Sequence, residues 1–167
     1  MSSGLDRLGS IRLVAFDIDG VFTDGRFYVS DDGSETKAFH TQDGYGVRRL
    51  LEAGVEVAVI SGRRSPAVEQ RMAELDVRHV VLGCKNKVAA FDELIASLGI
   101  EATDCAFVGD DMPDLALLEH VGLSIAVANA VQAVQERCDY ITRKPGGFGA
   151  VREVCDLVAG SRDDRIE

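Results

Sequence analysis

At 167 residues the chain has the length of one ordinary domain and can bury roughly 70% of the surface its unfolded form exposes. Apolar residues make up 46% and charged residues 28%, close to the globular average, which excludes disordered, collagen-like and coiled-coil architectures. Eighteen Lys and Arg against 28 Asp and Glu leave a formal charge of −10, so phosphate backbones and anionic lipid are repelled, and neither nucleic acid nor a membrane is an expected partner.

Residues 1–10 read as an N-terminal extension without an apolar signal-peptide stretch, and no window reaches the roughly 18 apolar residues of a membrane span. The cytoplasm is the expected compartment. Residues 11–17 form a nearly continuous apolar run, broken only by Arg12, that predicts a strand buried on both faces and ends in Asp17-Ile18-Asp19-Gly20. In residues 26–40 two β-like runs flank Asp31-Asp32-Gly33, a turn signal, and predict a β-hairpin flap. Val47, Leu50 and Leu51 then carry helical spacing.

A second strand, residues 55–60, delivers Ser61-Gly62-Arg63, and Val68, Met72 and Leu75 mark the next helix. After a strand at 80–82, Asn86-Lys87 opens a helix whose apolar face is Val88, Phe91, Leu94, Ile95 and Leu98. Residues 105–108 form a strand ending in Gly109-Asp110-Asp111, with Asp114 beyond it; Leu115, Leu118 and Val121 then give a helix and residues 123–127 a further strand. Strands alternating with helices predict an α/β protein, a Rossmann-like three-layer parallel sheet covered on both faces, spanning residues 11–160 as one domain. Residues 161–167 read as a charged tail. Cys84, Cys105, Cys138 and Cys155 are widely spaced without a CxxC pair and are expected to be reduced thiols.

In an open α/β sheet ligands collect beyond the carboxyl ends of the strands. Asp17, Asp19 and Asp110 all fall there, and carboxylates gathered so closely repel one another unless a hard cation holds them. An all-oxygen donor set suits Mg²⁺, which readily shares its shell with a phosphate. With the metal in place, Ser61 and Lys87 can hold phosphate oxygens while an aspartate, already ionised at neutral pH, attacks phosphorus. Asp19 is suited to protonate the leaving oxygen and later to deprotonate water.

The segments 17–25 (DIDGVFTDG), Ser61-Gly62-Arg63, Asn86-Lys87 and 109–114 (GDDMPD) resemble, in order, the four motifs of the haloacid dehalogenase superfamily of phosphatases. The resemblance covers about residues 11–158. Through DGVFTDG, the segment 40–46 (HTQDGYG) and residues 146–153 it narrows to members acting on a phosphorylated sugar acid, 3-deoxy-D-manno-octulosonate 8-phosphate, in lipopolysaccharide core-sugar synthesis. It implies that Asp17 is the nucleophile and Asp19 the general acid and base, with Ser61 and Lys87 on the phosphoryl group. It further implies that Asp17, the Asp19 backbone carbonyl and Asp110 bind magnesium, that Asp111 and Asp114 bond metal waters or orient Lys87, and that Arg63, Asp43, Gly44 and Tyr45 contact the sugar acid. The chain departs from that pattern at Gln42, where Arg is frequent, and at Phe148, where a basic or polar residue is frequent; Arg63, Arg64 and Lys144 are the cations available to compensate. A nonulosonate 9-phosphate or another phosphorylated sugar is the alternative substrate, and a non-catalytic oligomerisation module the alternative class.

Only the hairpin, one helix and one strand separate Asp19 from Ser61, and one helix and one strand separate Ser61 from Lys87. That leaves no room for a cap domain, because an insert below roughly 40 residues rarely folds without staples. A neighbouring subunit is therefore expected to supply the lid, and the resemblance implies a homotetramer whose flaps form a shared barrel. Phe27, Tyr28, Val29 and Phe39 are the expected interface, with residues 146–149 and the tail expected to reach a neighbour's site.

Overall fold

A computed structural model of the chain describes residues 4–163. In chain order the elements are β1 (Leu13–Phe16), the hairpin strands β2 (Tyr28–Val29) and β3 (Glu35–Thr36), α1 (Thr41–Glu52), β4 (Glu56–Ile60), α2 (Pro66–Glu74), β5 (His79–Val81) and α3 (Lys87–Leu98). They continue with β6 (Cys105–Gly109), α4 (Leu115–Leu118), β7 (Leu123–Ala126), α5 (Gln132–Gln135), β8 (Tyr140–Ile141) and α6 (Ala150–Asp163). Six strands form one sheet in the order β5-β4-β1-β6-β7-β8, and every neighbouring pair is parallel.

The apolar runs become central strands because both faces of the sheet are covered. All of Leu13, Val14, Ala15 and Phe16 are fully buried, as are Ala106, Phe107 and Val108 in β6. Burying the larger of these, the Leu, Val and Phe side chains, contributes about 1.5–3 kcal/mol each. The chain leaves β1 toward β4 and β5, then crosses back to β6 and beyond, so β1 sits at the point where strand order reverses and a crevice opens. Phe16 lies opposite Val59 on one side and Val108 on the other, which brings the strand ends at Asp17, Ser61 and Asp110 to one edge.

Helix ends follow local sequence. Asn86 accepts the Ala89 N–H at 3.0 Å to start α3, and Gly99, at φ 63°, ends it. His40 Nδ1 accepts the Gln42 N–H to start α1. Gly46 lets α1 lie close on α6: a Cβ there would sit 3.0 Å from Arg152 Cδ and 3.1 Å from Cys155 Cβ.

The hairpin forms as expected, with Tyr28 opposite Thr36, Val29 opposite Glu35, and Gly33 at φ 83° in the turn. Between β1 and β4 the chain builds only this hairpin and α1, and between β4 and α3 only α2 and β5, so there is no cap domain. The ends are more integrated than the sequence suggested. Gly4–Ser10 forms 3-10 helix with Leu5 and Leu8 packed on the core. At the other end α6 continues to Asp163, where the Arg162 guanidinium donates to the Ile11 carbonyl at 2.7 Å and the Ala53 carbonyl at 3.3 Å. The remainder of the expected tail, residues 164–167, lies outside the described residues. All four cysteines are free thiols. Among the described residues no helix is long and apolar enough to cross a membrane.

Candidate active site

Asp17 follows β1 directly, its N–H donating to the Val108 carbonyl at 3.0 Å. Its carboxylate accepts from Lys87 Nζ at 3.0 Å, and the same ammonium donates to Asp114 at 2.7 Å. The other Asp114 oxygen accepts the N–H groups of Asp110 at 2.9 Å and Asp111 at 3.3 Å, while the Asp111 side chain accepts from Met112 N, so the two acids cap a one-turn 3-10 helix reciprocally. Asp17, Asp110 and Asp114 each place a carboxylate oxygen within 4.8 Å of the other two.

Glycine is required beside this cluster. Gly20 has φ 87°, and a Cβ there would lie 1.9 Å from Asp110 Oδ2. Thr23 Oγ1 closes the loop by accepting from Gly20 N and Gly25 N. Opposite, Ser61 is pinned through its backbone to Val81 and Cys84, and its hydroxyl accepts the Arg63 N–H at 3.3 Å. Asp17, Asp19, Ser61, Arg63, Lys87, Asp110, Asp111 and Asp114 together line an open hollow of about 320 Å³. A larger groove of about 710 Å³ at the opposite end of β4, walled by Leu51, Val55, Val57 and Val77, gathers none of them.

Electrostatically the cluster is short of positive charge. Burial, then repulsion by Asp114, raises the pKa of Asp17 to about 6 against the pull of Lys87. Burial, then Asp17 and Asp114, raises Asp110 to about 8. Burial works against the Lys87 ammonium, yet Asp17 and Asp114 outweigh it and raise its pKa. One ammonium among three close carboxylates, all of them hard oxygen donors, is a setting that a divalent cation fits.

The Asp19 carboxylate turns away from that trio. Its Oδ1 lies 2.5 Å from Lys37 Nζ and its Oδ2 4.0 Å from Arg63 Nε. Lys37 and Glu35, both on the hairpin side of the site, were not singled out from sequence: Lys37 bridges Asp19 and Glu35, and Glu35 accepts from Arg63 at 2.6 Å. Lys37 and Arg63 hold the Glu35 carboxyl below its usual pKa, their hydrogen bonds and charges outweighing the desolvation that raises it.

Asp43, Gly44 and Tyr45 are not brought to the hollow. They occupy the first turn of α1, where Asp43 accepts the Arg152 N–H at 2.9 Å, Gly44 is overlain by Arg71, and Tyr45 lies under the Arg152 guanidinium. The glycine-rich turn packs on the chain's own site loop. Gly147 N donates to the Val21 carbonyl and Gly146 N to Asn129, leaving Phe148 more than half exposed.

This fold and this constellation place the chain among the haloacid dehalogenase-like hydrolases, whose family profile matches residues 83–153. Relatives sharpen the class. The 3-deoxy-D-manno-octulosonate 8-phosphate phosphatase KdsC of Escherichia coli K12 is 48% identical over 149 residues, 89% of this chain and 79% of that one. Among solved structures, the 3-deoxy-D-manno-octulosonate 8-phosphate phosphatase from Yersinia pestis superposes with a TM-score of 0.94 at 41% identity, covering 97% of this chain and 88% of that one. The same phosphatase from Moraxella catarrhalis, in complex with magnesium ion, phosphate ion and KDO, gives 0.93 at 40% identity, covering 99% and 97%. The chain belongs to this phosphatase family and is a phosphoric monoester hydrolase.

Proposed function

We propose that the protein hydrolyses 3-deoxy-D-manno-octulosonate 8-phosphate through an aspartyl-phosphate on Asp17, as a step of lipopolysaccharide core-sugar synthesis in the cytoplasm. The observation that carries the chemistry is Asp17 itself, held at 3.0 Å by Lys87 on the floor of a hollow shared with Ser61, Asp110 and Asp114. The relatives' substrate and the magnesium, phosphate and KDO of the Moraxella protein support the choice of sugar acid.

Magnesium would be held by Asp17, the Asp19 carbonyl and Asp110, with Asp111 and Asp114 around them, and when bound it would neutralise charge on the phosphoryl oxygens. Lys87 and the Ser61 hydroxyl bind two of those oxygens. An Asp17 oxygen forms a bond to phosphorus as the bond to the sugar C8 oxygen breaks, and protonated Asp19 gives that oxygen its proton. Asp19, now ionised, takes a proton from the water that attacks phosphorus; the phosphorus–Asp17 bond breaks and phosphate leaves. Arg63 faces the sugar acid at the rim. The assembly is a homotetramer in which a partner's hairpin covers the hollow.

Phosphate release from a panel of sugar phosphates, with Mg²⁺ or with EDTA, tests this. Turnover is expected only with the metal, greatest on the eight-carbon sugar acid, and Asp17→Asn is expected to lose roughly 10³-fold or more. A preference for a neutral hexose phosphate overturns the substrate, and an active Asp17→Asn overturns the nucleophile.

A further inference from the structure

We infer that Lys37, brought to the site by the hairpin, is a positioning residue for Asp19: it anchors one carboxylate oxygen so that the other faces the reacting oxygen. This deepens the function proposed above and rests on it.

Lys37 is the unusual residue here, because its side chain is 0% exposed. A buried ammonium costs several kcal/mol unless a carboxylate compensates it; Glu35 at 3.1 Å supplies that charge, and Asp19 Oδ1 at 2.5 Å accepts from Lys37 as the oxygen that does not carry the transferred proton. Glu35 alone, on the same hairpin, would fasten the flap locally. The second bond instead reaches 18 residues back to the loop after β1, to the side chain assigned the proton transfers.

The arrangement divides the Asp19 carboxylate into two roles. Oδ1 is taken by Lys37, while Oδ2 lies 4.0 Å from Arg63 Nε, and both Asp19 and Arg63 line the hollow. Lys37 does not line the hollow, so any effect it has on the reaction passes through Asp19. Phe27 closes over the group, its ring centroid 5.0 Å from Lys37 Nζ and 4.2 Å from Arg63 Cζ, and so shields the ion pair from competing water. Glu35, accepting from Arg63 at 2.6 Å, ties both cations to the hairpin. Within its own subunit the hairpin thus sets where the proton donor points. A misplaced donor of this kind loses much of what general acid catalysis supplies, typically 10²–10⁴-fold.

The leaving group separates this role from a structural one. A sugar alkoxide needs a proton as it departs, whereas the phenolate of p-nitrophenyl phosphate does not. In rapid-quench single turnovers with Mg²⁺, Lys37→Met is expected to slow phosphoryl transfer from 3-deoxy-D-manno-octulosonate 8-phosphate by about 10²-fold, yet leave transfer from p-nitrophenyl phosphate within about threefold. The aryl substrate should then show a nitrophenolate burst before a slower steady state, because water activation still depends on Asp19. In an Asp19→Asn background the same substitution should add no more than about twofold on the sugar phosphate.

Lys37→Arg keeps the charge but displaces the donor; it is expected to lose about tenfold on the sugar phosphate and almost nothing on the aryl one, and it carries the test if Lys37→Met does not fold. Equal losses on both substrates, or full additivity with Asp19→Asn, overturn the inference and leave Lys37 as a hairpin fastening. Wild-type protein that turns over neither substrate with Mg²⁺ sinks the proposed function instead, so the two failures are distinguishable.

Discussion

Asp43 is a carboxylate without solvent. It is 1% exposed, one oxygen accepts the Arg152 N–H near the start of α6, and the other has no hydrogen-bond partner among the described residues. Burial raises its pKa from 3.8, outweighing Arg152, His40 and Arg71. The folded state thus holds this proton more tightly than the unfolded one. Its contribution to stability is full below the unfolded value and is lost as pH rises through the raised folded value. Asp43→Asn keeps an acceptor for Arg152 and removes the charge, so the stability of the variant relative to wild type is expected to grow from acid to neutral pH in urea unfolding. A difference independent of pH would exclude Asp43 as the titrating group. The same residue shows where sequence reasoning stops. Asp43 stands in an acidic, glycine-containing segment that looks like a binding loop, but its partner is 109 residues away, a pairing no local spacing reveals. Asp17, Ser61, Lys87 and Asp110 were legible because each follows or opens an element whose apolar pattern fixes where it ends.

The pairing of α1 with α6 rests on glycine at one point and is indifferent to it at another. At Gly46 a Cβ would already press on Arg152 Cα at 3.1 Å, a backbone atom that cannot rotate aside. Gly46→Val is therefore expected to cost about 1–3 kcal/mol by forcing the helices apart. Gly160, near the end of α6, has nothing within 4 Å of its Cβ position. Gly160→Ala is expected to stabilise by about 0.5–1 kcal/mol through helix propensity alone. Urea midpoints of the two variants check both signs, and a neutral Gly46→Val would mean that the contact yields freely. Elements of this length carry a periodicity that can be read. By contrast β8, two residues long, and α5, four residues long, are too short to show one. The hairpin was legible from its turn, yet its pattern did not say which face turns inward, and so the burial of Lys37 went unseen.

For the molecule as a whole, the hairpin is hard to explain in isolation. Its strands are two residues each, and two-stranded ribbons are marginal in water. Lys37 and Arg63 fasten it through Glu35, but Tyr28 and Val29, paired with Thr36 and Glu35, are 69% and 65% exposed, beside an open hollow with no cap to exclude water. An exposed apolar strand at the rim of a site that lacks a lid fits a second copy of the chain, each hairpin completing a neighbour's hollow and burying its own aromatic surface. A net charge of −10 argues against non-specific self-association, so the contact has to be specific. Sedimentation velocity is expected to give a tetramer for the wild type and a monomer for the Tyr28→Ser, Val29→Asp double variant. Turnover of the sugar-acid phosphate should fall by about tenfold or more in that variant, chiefly through KM, since substrate enclosure and not Asp17 has been removed. A monomer that keeps full turnover would show that the hairpin serves its own subunit, and would return the problem of excluding water to the residues of a single chain.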